Sequence, residues 1–73
     1  MNGSPAEYSA VVLDFETGAD LGPIDLSDAK TDKQAAEFAK ERGTDEIRSR
    51  GIARARIKIA RGGFGLPLIE VVG

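Results

Sequence analysis

Residues 52 to 61, Ile-Ala-Arg-Ala-Arg-Ile-Lys-Ile-Ala-Arg, alternate with a period of two. Ala55, Ile57 and Ile59 share one side, and Arg54, Arg56 and Lys58 share the other. Side chains of a strand point alternately to opposite faces, so the pattern predicts a half-buried strand with one apolar and one cationic face. Gly62-Gly63-Phe64-Gly65 supplies a turn, and residues 66 to 72 return as an apolar strand with Pro67 near its start. A hairpin over 52 to 72 follows, and the glycine run reads as its turn because a phosphate-cradling loop would open onto a helix.

The N-terminal part supplies partners for this hairpin. Residues 8 to 16 are rich in β-formers, with Tyr8, Ala10 and Val12 on one face and Val11, Leu13 and Phe15 on the other. This predicts a strand covered on both sides for most of its length. After the turn residues Thr17-Gly18-Ala19-Asp20, residues 21 to 26 form a weaker strand that Gly22 and Pro23 confine to a sheet edge. Thr31 and Gln34 fit a capping box, and Ala35, Phe38, Ala39 and Arg42 make one stripe anchored by Phe38. Gly43 takes the stop position, so the helix is predicted over 31 to 42. A second short helical turn is expected over 45 to 50, capped by Thr44 and ended by Gly51.

These elements define an α+β fold: a single domain over 8 to 73, ordered ββαββ (or βαββ), with a three- or four-stranded antiparallel sheet packed on one helix. Residues 1 to 7 read as a flexible leader. A chain of 73 residues has room for one thin core and buries about 60% of its unfolded surface. With no cysteine and no histidine, disulfides are excluded and a zinc site would rest on carboxylates alone. No cofactor is expected. The lack of cysteine fits a reducing, cytoplasmic setting, and no apolar run approaches the roughly 18 residues that cross a bilayer, so no membrane role is expected.

A net charge of −2 conceals a strong polarity. Residues 1 to 46 hold eleven acids and four bases, while residues 47 to 73 hold six bases and one acid. The candidate partner-binding residues are therefore Arg54, Arg56, Lys58 and Arg61, joined by Arg48 and Arg50. No catalytic set is present, which leaves surface contact as the working chemistry. The first reading is a non-enzymatic protein–protein interaction module, an adaptor or inhibitor with opposed acidic and basic surfaces. An exposed edge strand could also recruit a partner strand. Small acidic proteins by which phages block host defence, anti-CRISPR proteins among them, are similar in size and in lack of chemistry. In such an inhibitor Asp14, Glu16, Asp20, Asp25, Asp28, Asp32, Glu37 and Glu41 would stand in for phosphates. A homodimer joining the basic stripe of one copy to the acidic helix of another uses the same polarity. The alternative reading is nucleic-acid backbone binding through 52 to 61, although the strand interleaves its charges with alanine and isoleucine where base-stacking aromatics would serve.

Val11-Val12-Leu13-Asp14-Phe15-Glu16-Thr17-Gly18 resembles the first motif of the DEDD 3′ to 5′ exonucleases. The resemblance implies that Asp14 and Glu16 would bind the metal ions that activate water for phosphodiester cleavage. It covers eight residues of a strand-and-turn pattern. The family's later aspartates have no matching motif here, histidine is absent, and the single tyrosine, Tyr8, precedes the motif. A core strand ending in a solvated acidic turn accounts for the same residues.

Overall fold

The computed structural model describes residues 7 to 73, and its elements run β1 (Tyr8–Asp14), β2 (Asp20–Asp25), α1 (Asp32–Ser49), β3 (Arg54–Arg61), β4 (Phe64–Gly65) and β5 (Ile69–Val72). One helix packs on a five-stranded antiparallel sheet in which β1 lies between β2 and β3, and β3 pairs on its far side with both β4 and β5. The α+β class is as expected, and the weak strand β2 forms. The sheet has five strands because the predicted return strand over 66 to 72 is broken. Arg61 and Ala60 pair with Phe64 and Gly65, whereas Ile57 to Arg54 pair with Ile69 to Val72 one register step out. Leu66-Pro67-Leu68 holds the extra residue, and Pro67 has no N–H for the ladder.

The apolar side of β3 is buried as its alternation requires, with Ala55, Ile57 and Ile59 at most 1% exposed. Tyr8, Ala10 and Val12 of β1 join them, and Leu26, Ile47 and Val71 complete the centre of the core. The expectation that β1 is covered on both faces is corrected. The single helix covers one face, leaving Val11, Leu13 and Phe15 half-buried on the other. Strand β1 also ends at Asp14, two residues early, because residues 15 to 17 turn.

The two predicted helices are one. Thr31 caps the start, its hydroxyl accepting from the Gln34 N–H at 3.1 Å while the Gln34 side chain accepts from the Lys30 N–H at 2.9 Å. The helix then passes through Gly43 and stops only before Gly51, whose φ of 71° is the left-handed stop. Gly43 is a contact residue and no terminator: a β-carbon there would stand 2.5 Å from Ile57 Cδ1. The inward row is Ala35, Ala39, Gly43 and Ile47, so the helix approaches the sheet closely over its first three turns. Phe38, expected as the anchor, is half-buried at the margin with the Arg42 guanidinium 4.5 Å from its ring. Ile47 is the anchor instead.

The leader expected over 1 to 7 falls on residues 1 to 6, outside the described residues, apart from Glu7. Just before β1, the Glu7 carbonyl accepts from the Gly62 N–H at 3.0 Å. Among the described residues, no helix is long and apolar enough to cross a membrane.

Candidate functional site

Strand β3 places Arg54, Arg56 and Lys58 on the sheet face turned away from the helix, all exposed. Register determines their neighbours: Lys58 lies opposite Val11, and Arg56 opposite Leu13 on one side and Glu70 on the other. Phe15, the next outward residue along the chain from Leu13, comes to rest beside the arginines. The Arg54 and Arg56 guanidinium carbons lie 4.0 and 4.7 Å from its ring centroid. Cations on a ring face are attracted by its quadrupole, so Phe15 draws both guanidinium groups to its ring. Arg54 also donates to Glu70 at 3.0 Å. Arg56 and Lys58 have no ion-pair partner among the described residues.

The other three candidate residues are elsewhere. Arg61 has the opposite parity and lies on the helix side, where it donates to Asp32 at 2.8 Å with the Phe64 ring nearby. Arg50 closes the helix, bonding Glu46 at 2.8 Å and the carbonyl of Leu21. Arg48 is exposed in the last helical turn. The basic half of the chain therefore splits into an open-face trio and three residues around the helix. Phe15, Val11, Leu13 and Glu70 belong with the trio, and the only sequence signal for them is that the outward β1 residues are apolar.

The acidic residues are largely engaged within the chain. Asp14 Oδ2 accepts from the Glu16 N–H at 3.0 Å, the Thr17 N–H at 2.8 Å and the Thr17 hydroxyl at 3.0 Å. The stretch that resembles an exonuclease motif is thus a side-chain-capped turn closed by Gly18 at φ 76°. Asp20 accepts from the Gly22 N–H and Asp25 from the Ser27 N–H. Asp28 takes a two-pronged pair from Arg42 at 2.8 Å, and Asp32 accepts from the Tyr8 hydroxyl as well as from Arg61. The outer surface of the helix mixes Lys33, Lys40 and Arg48 with Glu37, Glu41 and Asp45. No group of three or more potential metal ligands occurs among the described residues.

These contacts depress several carboxyl groups. The Arg42 hydrogen bonds bring Asp28 down to about 2. The Tyr8 hydroxyl lowers Asp32, and turn amides, foremost those of Thr17 and Ser27, lower Asp14 and Asp25. A carboxyl with a depressed folded-state pKa stabilises the fold above its unfolded value of roughly 4, and that contribution fades as pH falls through the folded value. Thermal melts should accordingly show Tm falling between about pH 4 and about pH 2. In Asp28→Asn, Tm should be lower at neutral pH and the acid-side drop smaller; an equal drop in the variant would remove Asp28 from this account.

The free edge of β2 is sealed. Pro23 has no N–H to offer another strand, the carbonyl of Asp25 accepts from Arg42 at 2.8 Å, and that of Leu21 accepts from Arg50. Two outward carbonyls of this edge are thus taken by Arg42 and Arg50. Comparison with protein-family models, with curated proteins and with solved structures returns no match for the chain.

Proposed function

We propose that the chain is a non-enzymatic protein-interaction module, acting as an adaptor or inhibitor, whose contact surface is the open face of its sheet. The observation that carries this reading is the pairing of Arg54 and Arg56 over Phe15, with Lys58 beside them and half-buried Val11 and Leu13 behind. Apolar area next to pre-positioned arginine forks suits a protein surface that presents carboxylates around an apolar centre. The Phe15 ring on this face is already engaged by two guanidinium groups, which favours protein over base stacking by nucleic acid. Function in the reducing cytoplasm is consistent with a chain lacking cysteine.

Reversal of Arg56 and Lys58 to glutamate tests the proposal. A stoichiometric protein partner recovered from the native cell should be lost from Arg56→Glu/Lys58→Glu and retained by Lys40→Glu on the outer helix surface. Cross-links from Lys58 should map to an acidic surface of that partner. Recovery of nucleic acid with a steep salt dependence, lost in the same double variant, would replace this reading with phosphate-backbone binding. A partner indifferent to the double reversal would overturn both.

A further inference from the structure

The two arginines that converge on Phe15 leave most of their hydrogen-bonding capacity unused. Their guanidinium carbons lie 4.0 and 4.7 Å from one ring centroid, so two like charges are gathered at one point. Arg54 donates once, through Nη2 to Glu70 at 3.0 Å, and Arg56 donates to no protein group among the described residues. Asp14 and Glu16 line a cavity with Phe15 and Arg54, but neither bonds an arginine, and Asp14 Oδ2 is taken by the turn's own donors. Leu13 stands opposite Arg56 in the register and Val11 opposite Lys58, which sets half-buried apolar surface one strand away from the cations.

We propose that Arg54 and Arg56 form the binding site for an aryl phosphate monoester, the phosphotyrosine side chain of a protein partner. This rests on the open face being the contact surface and specifies the group that the surface holds. A guanidinium fork offers two parallel N–H donors to one oxyanion. A carboxylate has two oxygens and fills one fork, and a phosphodiester likewise keeps two unesterified oxygens and a single charge. A phosphate monoester carries three terminal oxygens and nearly two negative charges at neutral pH. It can therefore accept from both forks at once and offset the repulsion between them. Lys58, next along the same face, adds to the attraction. The ester group is selected by what lies beside the arginines. Leu13 is one strand spacing, about 4.8 Å, from Arg56. That matches the reach from the phosphorus of an aryl phosphate to its ring, whereas phosphoserine has only a methylene to place there. The phosphate then sits on the arginines and the ring on Leu13 and Val11.

Titration of the whole chain with phenyl phosphate, followed by amide NMR shifts at neutral pH and constant ionic strength, should saturate, with the shifts centred on Leu13, Phe15, Arg54 and Arg56. Benzoate keeps the ring but fills only one fork, and should bind about tenfold more weakly, the worth of a charged hydrogen bond. Inorganic phosphate keeps the oxygens but lacks the ring, and should bind severalfold more weakly. Arg56→Lys retains the charge and loses the fork, and should weaken phenyl phosphate about tenfold, while Lys40→Gln on the outer helix surface should leave it unchanged. A phosphotyrosine peptide should displace phenyl phosphate, and its unphosphorylated form should not. Shifts that rise without saturating would reduce the face to charge screening and overturn the site, as would equal binding of benzoate or indifference to Arg56→Lys. Equal binding of inorganic phosphate or of dimethyl phosphate would remove the aryl monoester as the ligand, and a phosphotyrosine peptide that fails to compete would remove the protein as its source. If phenyl phosphate does not bind while Arg56→Glu/Lys58→Glu still releases a captured partner, the open face remains the contact surface and only its phosphotyrosine specificity falls.

Discussion

Ile47→Ala is expected to leave the domain largely unfolded at room temperature. The inward row of the helix is Ala35, Ala39, Gly43 and Ile47, and only Ile47 contributes more than a methyl group. It is wholly buried, as are Val12, Leu26, Ile57 and Ile59. Truncating a buried isoleucine to alanine costs about 2–5 kcal/mol, through lost transfer energy and the cavity left behind. A domain of this size, without disulfide or metal, holds only a few kcal/mol in total, so the loss is comparable to the whole. Phe38→Ala, at the half-buried margin, should cost distinctly less. Urea unfolding followed by helix content separates the two. A larger loss at Phe38 than at Ile47 would mean that the helix effectively ends at Gly43.

That comparison also marks where the fold was legible in sequence. The alternation of β3 and the Thr31 cap are local signals, each acting over a few residues, and each forms as read, while the glycine turn after Arg61 narrows to Gly62-Gly63 because Phe64 and Gly65 pair with β3 as β4. Gly43 is different. A glycine following a basic residue satisfies every local rule for a helix stop, and what overrides it is Ile57, fourteen positions away across the layer. The sealed β2 edge has the same origin, because Arg42 and Arg50 find the carbonyls of Asp25 and Leu21 only once helix and sheet are assembled. At the candidate site, the cationic face of β3 was legible and its companions were not. Phe15 reaches the arginines because Leu13 pairs with Arg56, a register that no pattern within either strand specifies. Arg61 was grouped with the stripe on proximity in sequence, although its odd position sends it to the helix side.

Gly43→Ala should destabilise the protein, against the ordinary rule for a helix interior, and the sign should reverse when Ile57 is shortened. In a solvent-facing turn the change would gain roughly 1 kcal/mol, since alanine loses less backbone entropy than glycine. Here the new β-carbon meets Ile57 Cδ1 at 2.5 Å and Cγ1 at 3.1 Å, with Ile24 Cδ1 at 3.4 Å closing the other side. Ile57 is itself fully buried, so its terminal methyl can give way only by repacking within the core. Overpacking of this kind costs about 1–3 kcal/mol, which leaves a net loss of about 1 kcal/mol once the helix gain is subtracted. Ile57→Val removes Cδ1 and costs about 0.5–1.5 kcal/mol alone. In that background the alanine methyl occupies the vacated space, only the Cγ1 contact must ease, and Gly43→Ala should stabilise by up to about 1 kcal/mol. A double-mutant cycle in urea should therefore give a coupling of about 2 kcal/mol between positions 43 and 57. Additive effects would show that the helix stands farther from the sheet than Gly43 requires, and the account of this glycine as the point of closest approach would fail.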